Sequence, residues 1–282
     1  MGKTGLVLEG GAMRGLYTAG VLDVLMEKNI DFDMTIGVSA GACFGCNFMT
    51  KQIGRTLRYN IKYAKDKRYC SFTSFFKTGD IYGADFCYHK LPNELDIYDR
   101  EAFYKNKSPF YVVATDVESG EATYKQLAKM DDEDLEWMRA SASMPLVSNI
   151  VEVEGRKLLD GGTADPIPVE QAMKMGYEKN LVVLTRPLGY VKKPEGLLNL
   201  TEFIYRKYPK FIETVQNRHI VYNKELALLE ELEKDGKAFV IRPSEPIPCG
   251  RIEHNPDNLQ KAYELGRKDA RNALKGLLDF LK

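Results

Sequence analysis

Short apolar runs alternate with helical spacing at the start of this chain. Gly5-Leu6-Val7-Leu8 is apolar but too short for a helix, and Glu9 to Gly15 is a loop by its glycines. Val21, Leu22, Val24 and Leu25 then carry helical spacing as far as Lys28-Asn29, and a second strand is predicted over 34–38. Strands that are apolar on both faces and separated by a helix predict parallel pairing in a covered sheet. Further strands are predicted at 110–114, around Leu158-Leu159, at 181–184 and at 239–241. From about 196 to 235 the pattern turns helical and strongly charged, through Phe203-Ile204-Tyr205 and from Glu225 to Lys234. A last helix is predicted over 256–281, and Pro243, Pro246 and Pro248 mark the connection before it. The predicted organisation is one strand-rich unit over 1–190 and a mainly helical extension over 191–282. That extension is expected to pack on the core and to return one strand near 238–242.

Residues 51–77 stand out by charge. Lys51, Arg55, Arg58, Lys62, Lys65, Lys67, Arg68 and Lys77 face a single acid, Asp66. At 100° per residue Ile53, Leu57, Ile61 and Ala64 fall on one helical face, with Arg55, Arg58, Lys62 and Lys65 opposite. Two readings follow: a surface helix packing its apolar stripe on the core, or an element that meets anionic lipid headgroups. The segment ends in an aromatic stretch, Tyr69 to Phe76.

Composition narrows the function classes. The chain has 282 residues, 44% of them hydrophobic and 28% charged, which is enough for a sizeable core and excludes a disordered or collagenous chain. Forty Lys and Arg balance 40 Asp and Glu, so no globally basic surface for nucleic acid is expected. No run of about 18 apolar residues is present, and Met1-Gly2-Lys3-Thr4 leads straight into the first strand without a signal-peptide pattern. A cytoplasmic protein is therefore expected. Gly2 does not complete a myristoylation motif, because Leu6 stands where Ser or Thr is needed. Five cysteines without a secretory signal predict reduced thiols, and Cys43-Phe44-Gly45-Cys46 reads as two small buried thiols on one helical face. Three scattered histidines, with no cluster at metal-ligand spacing, predict no zinc site.

Gly37-Val38-Ser39-Ala40-Gly41 is a G-x-S-x-G, and its frame fits: a strand over 34–38 and a helix-compatible 42–49. Such a serine sits in a strained strand-to-helix turn that flanking glycines permit, with its hydroxyl clear of the sheet edge and a helix dipole beneath it. A histidine partner is not expected. Only one strand-helix unit precedes Ser39, and His89, His219 and His254 all lie in surface-like contexts. Another candidate base is Asp160 in Leu158-Leu159-Asp160-Gly161-Gly162, an aspartate at the end of an apolar run and followed by two glycines. Alone it also reads as an ordinary Asp-Gly turn.

Taken together, Glu9-Gly10-Gly11-Ala12-Met13-Arg14-Gly15, Gly37-Val38-Ser39-Ala40-Gly41 and Asp160-Gly161-Gly162 resemble the three signatures of the patatin-like phospholipase family in order and spacing. Val113-Ala114-Thr115-Asp116-Val117 with Ser119-Gly120-Glu121, and Ala140 to Pro145, look like the family as well. The likeness spans about 5–190, and the region after 195 looks like the helical extension of some bacterial members. The resemblance implies a three-layer α/β/α fold with a mostly parallel central sheet. It also implies a serine acyl-ester hydrolase of phospholipase, lysophospholipase or esterase type, acting in lipid metabolism through a Ser–Asp dyad. Ser39 would be the nucleophile, Asp160 the base, and the N–H groups of Gly10, Gly11 and Ala12 the oxyanion hole. Arg14 matches the motif's basic residue, most simply as a clamp on the loop, and Gly15 closes the motif. Ala12 stands at the family's second glycine; it keeps an N–H donor but tolerates positive φ poorly.

The chemistry also stands without the family. An aspartate of ordinary pKa is a poor base for a hydroxyl, so it must be partly buried and touch Ser39 directly. It takes the serine proton as Ser39 attacks an ester carbonyl, returns it to the departing alcohol, then activates water. One oxyanion donor is worth about 3 kcal/mol, and no metal or cofactor is required. The expected partner is an acyl-ester lipid, with peripheral contact to anionic membrane through 51–77 and no nucleic acid. The other readings are a catalytically silent lipid-binding or regulatory protein of the same fold, and a nucleotide-binding module. The last lacks both the Gly-Lys-[Ser/Thr] ending of a P-loop and the middle glycine of the Rossmann fingerprint.

Overall fold

The computed structural model describes residues 2–282. The strands are β1 (Lys3–Leu8), β2 (Met34–Val38), β3 (Phe110–Asp116), β4 (Ala122–Leu127), β5 (Val151–Val153), β6 (Arg156–Asp160), β7 (Tyr177–Val183) and β8 (Ala238–Ile241). Along the chain run α1 (Gly15–Glu27), α2 (Ala40–Met49), α3 (Arg55–Tyr63), α4 (Phe72–Thr78), α5 (Arg100–Lys105), α6 (Asp132–Ser141), α7 (Val169–Lys174), α8 (Leu198–Ile204), α9 (Pro209–Lys234) and α10 (Pro256–Leu281). A wide π-helical stretch occupies Asp85–Leu95.

The strands join in one sheet, in which β3, β2, β1, β7 and β8 are successive parallel neighbours. The mostly parallel sheet expected from the apolar runs is thus present. β4 and β6 pair with β3 antiparallel, and β5 pairs with β6. The sequence reading did not place β4 and β5. β4 is only half-buried along most of its length and β5 has three residues, so neither shows the apolar run that marks the central strands.

Side chains alternate between two layers. Leu6, Leu8, Val112, Ala114, Leu181 and Val183 point to one face, where α1, α2, α6 and α10 cover them. Val7, Ile36, Val38, Val113, Val182 and Leu184 point to the other, under α7 and α9. This is the period of two that strands impose, repeated across neighbours so that each face is continuously apolar. The result is the three-layer α/β/α arrangement.

The C-terminal residues are woven into this frame. β8 pairs with β7 at the sheet edge, and α10 lies along α1 so closely that a Cβ on Gly20 would sit 2.0 Å from Tyr263 O, and one on Gly266 would sit 2.0 Å from Tyr17 O. Asn255 caps α10 by accepting from Asp257 N, ahead of Pro256 at the first helical position.

The basic segment differs from its prediction. α3 covers only part of it, and its buried residues are Arg55, Thr56, Tyr59, Asn60 and Tyr63, whereas Ile53 is 45% exposed. The buried face lies roughly a third of a turn from the aliphatic stripe. Aromatic packing explains this, since Tyr63 meets Phe86 edge-on at 5.2 Å and Tyr59 meets Tyr69 at 6.5 Å. Hydrogen bonds from Tyr69 to Asn60 and from Arg55 to Asn47 satisfy the polar members. Among the described residues no helix is long and apolar enough to cross a membrane.

Candidate active site

β2 ends at Val38 and α2 begins at Ala40, so one residue carries the reversal. Ser39 has φ 55° and ψ −121°, a conformation that costs a residue with a side chain of order 1–3 kcal/mol and persists only when the surroundings hold it. Its N–H donates to Ser141 Oγ at 2.9 Å. Gly41, at the start of α2, passes so near β1 that a Cβ there would lie 2.4 Å from Leu8 O, and a Cβ on Gly37 would lie 2.6 Å from Ala42 N. Backbone approach on both sides of the serine accounts for the two glycines of the pentapeptide.

The meeting of Ser39 and Asp160 follows from strand register. β4 pairs along β3 from Phe110 to Thr115, which leaves one edge of β3 free. Along that edge β2 runs upward until Val38 reaches Val113, while β6 runs downward until Asp160 reaches Ala114. Two strands therefore meet head to head on neighbouring residues of β3, and the residue after Val38 faces the last residue of β6. The Ser39 hydroxyl donates to Asp160 Oδ2 at 2.7 Å, and Oδ1 accepts from Gly162 N at 2.8 Å. The aspartate backbone is pinned as well, with its N–H on Ser143 O at 2.8 Å and its carbonyl on Thr115 Oγ1 at 2.9 Å. Gly161 lies against the Val113 carbonyl. Ser39 and Asp160 are each only 6% exposed. Burial pushes the Asp160 pKa up, and the Ser39 hydroxyl, the Arg218 charge and the Gly162 N–H pull it only partly back.

The glycine loop leaves β1 beside this pair. A Cβ on Gly10 would come within 2.9 Å of Ser39 Cβ. Among the described residues the N–H groups of Gly10, Gly11 and Ala12 donate to no protein acceptor, and three free amides beside a nucleophilic hydroxyl can receive a developing oxyanion. Gly11 is extended at φ 174°, whereas Ala12 sits at φ 50°, the strained position anticipated for it. Gly15 opens α1 against Ala40 and Phe44. Arg14 does not clamp the loop. Its side chain makes no ion pair or hydrogen bond among the described residues, and its Nε is buried without a partner.

Several supporting residues escaped the sequence reading. Glu9 is buried, accepts from Thr185 N at 2.5 Å and from Tyr222 Oη at 2.8 Å, and so ties the loop to β7's continuation and to α9. Thr185 Oγ1 also donates to Gly10 O at 2.9 Å. Arg218 of α9 donates to Gly162 O and pairs with Glu195 at 2.9 Å. These partners lie far apart along the chain, beyond the reach of any local spacing.

Ser39 stands where two cavities meet. The smaller, about 110 Å³, is lined by apolar and aromatic groups including Cys43, Phe44, Tyr88, Leu91, Met138 and Met144. The larger, about 330 Å³, contains Asp160, the glycine loop, and residues of α9 and of 186–197. Ala12, Ser39 and Met144 line both. No histidine lines either one: His89 faces Glu136, His219 bonds Gln216 O, and His254 bonds Ala64 O. Cys43 and Cys46 are free thiols whose pKa values burial pushes up to about 11 and about 12, opposite to an activated redox pair. Among the described residues no group of three or more His, Cys, Asp or Glu could hold a metal ion.

Residues 6–173 match the family model for patatin-like phospholipase, and 208–282 match a domain of unknown function, DUF6363. The chain is 28% identical to the uncharacterized protein YjjU of Escherichia coli over 94% of this chain and 75% of that protein. It is 26% identical to the probable lipid hydrolase 463L of Invertebrate iridescent virus 6 over 62% of this chain and 65% of that one. The crystal structure of VipD from Legionella pneumophila aligns with a TM-score of 0.47 and 11% identity, over 98% of this chain and 67% of its own.

Proposed function

The chain belongs to the patatin-like phospholipase family, and on that premise we propose that it is a serine acyl hydrolase of lipid esters in which Ser39 is the nucleophile and Asp160 its base. One observation carries the reading: a buried 2.7 Å hydrogen bond from the Ser39 hydroxyl to a carboxylate, beside three unengaged backbone amides and at the mouth of an apolar cavity. In this reading the acyl chain lies in the apolar cavity, and Asp160 takes the Ser39 proton as Oγ attacks the ester carbonyl. The N–H groups of Gly10, Gly11 and Ala12 hold the oxyanion. As the C–O bond breaks, Asp160 returns the proton to the departing alcohol, and it then deprotonates the water that releases the fatty acid. Gly37, Gly41, Gly161 and Gly162 keep the two strand ends in register. The likeness to a probable lipid hydrolase supports the substrate class. We further read 1–190 as the catalytic unit and 191–282 as its extension.

Turnover of a short-chain chromogenic ester is the test. Ser39→Ala and Asp160→Asn are each expected to lose activity by at least about a thousandfold, the scale of losing a nucleophile or its base. A fluorophosphonate probe should label Ser39 and nothing else. Equal rates in all three proteins would end the proposal.

A further inference from the structure

The larger cavity holds more positive charge than ester hydrolysis calls for. Arg14, Arg186, Lys192, Arg218 and Arg251 all line it. Its acids are Glu9, Asp160 and Glu195, and each is engaged. Glu9 binds Thr185 and Tyr222, Asp160 binds Ser39 and Gly162, and Glu195 pairs with Lys192 at 3.4 Å and Arg218 at 2.9 Å. Among the described residues Arg14, Arg186 and Arg251 meet no carboxylate at salt-bridge distance.

These cations interact unfavourably with one another. Burial, with Arg186 and Arg251 close by, holds the Arg14 pKa down at about 10, and burial with Arg218 and Arg251 nearby lowers Lys192 to about 8. Gathering guanidinium groups without carboxylate partners around one cavity, with Arg14 and Arg186 half-buried and Arg251 exposed at its rim, stabilises no fold, because like charges repel. A bound anion would relieve that repulsion.

The cluster is also assembled with care. Arg186 extends from the end of β7. Arg251 is held beside the glycine loop, since its carbonyl accepts from Met13 N at 3.4 Å and Tyr82 Oη at 2.8 Å. Arg218 is fixed by Gly162 O and Glu195. The cavity's tyrosines are already in use: Arg186 stacks on Tyr190 at 4.4 Å, and Tyr222 donates to Glu9 and faces Lys192 at 5.8 Å. A quaternary ammonium would find neither a free aromatic face nor a free acid there.

We infer that this cavity is an anion subsite for a phosphate of net negative charge on the alcohol side of the scissile ester, so that the site favours acyl esters with an anionic head over zwitterionic or neutral ones. The inference rests on the hydrolase reading above. Guanidinium groups suit it because they bind phosphate oxygens in paired, charge-assisted hydrogen bonds. A phosphatidate-type lipid in a membrane and a soluble single-chain acyl glycerol phosphate offer the same chemistry.

The experiment compares kcat/KM for an acyl glycerol 3-phosphate, an acyl glycerophosphocholine and an acylglycerol of one chain length, each as monomers, beside the chromogenic ester and phosphatidate vesicles. The phosphate monoester is expected to lead the choline ester by at least about tenfold. Arg186→Gln and Arg251→Gln should each cut that lead by roughly fivefold or more, chiefly through KM, with unchanged circular dichroism. Turnover of the soluble monomer alone, or of the vesicle lipid alone, upholds the subsite and identifies the source. Equal turnover of the three heads, or a lead that neither substitution moves, overturns it. If no ester at all is turned over, the hydrolase reading fails. The subsite is then decided by calorimetry of glycerol 3-phosphate binding to the Ser39→Ala protein, which must be measurable and weaker with Arg186→Gln added.

Discussion

Asp160 works without a histidine in this reading, so its own proton affinity sets the pH range of the enzyme. The carboxylate must be ionised to accept the Ser39 proton, and burial raises its pKa above the ordinary 3.8. Activity is therefore expected to fall as pH falls through that raised value, placing the acid limb of kcat/KM above the pKa of a free aspartate. Arg218 opposes the shift. Replacing it, as in Arg218→Gln, should move the acid limb to higher pH, and a pH–rate profile of the two proteins checks this; coincident limbs would mean that some other group is the base. Much of the serine's setting was legible beforehand, because a strained turn flanked by close backbone requires the local pattern Gly37-x-Ser39-x-Gly41. What fixes the loop was not. Glu9 accepts from Tyr222 of a distant helix, and nothing at position 9 or 222 taken separately announces the pair.

Secondary structure was readable where burial is uniform and failed where it is mixed. The central strands each carry a buried apolar run and appear where it predicts them, although β7 starts four residues earlier, through the polar Glu178-Lys179-Asn180, whereas β4, exposed on one side, has no such run. For α3 the aliphatic count misled, since Tyr59 and Tyr63, and Arg55 bonded to Asn47, are buried in preference to Ile53. The packing of α10 on α1 makes a sharper claim. Gly20→Ala would gain about 1 kcal/mol in helix propensity, but its Cβ would fall 2.0 Å from a backbone carbonyl that no side-chain rotation can move aside. Overpacking of this kind costs 1–3 kcal/mol or more, so a net loss of about 2 kcal/mol is expected, read as a lower midpoint in urea. A midpoint at or above that of the unmodified protein would mean that the helices part without cost.

A chain with equal numbers of acids and bases still distributes them unevenly over its surface. In the basic segment Lys51, Arg58 and Arg68 are paired with Asp31, Asp96 and Asp66, and Arg55 is buried. Lys62, Lys65, Lys67 and Lys77 are exposed and form no ion pair among the described residues, and in the same segment Phe72 and Phe76 are 67% and 83% exposed. We propose that these groups make the peripheral contact with anionic membrane. Each lysine adds about 1 kcal/mol near such a surface, so co-sedimentation with phosphatidylserine vesicles should fall on raising salt and on replacing the four lysines with glutamine. Equal sedimentation with neutral vesicles would remove the electrostatic argument. The head-to-head meeting of β2 and β6 has a further consequence for how such a protein can diversify. Because one edge of β3 measures the gap between Ser39 and Asp160, the chain from 40 to 155 serves that pair only through β3, Gly41 and the contacts of Ser141 and Ser143. That stretch supplies most of the apolar cavity wall, including the π-helical Asp85–Leu95. Insertions and replacements there can remodel what the cavity admits while the reacting pair stays in register, so specificity and chemistry are encoded in separable parts of the chain.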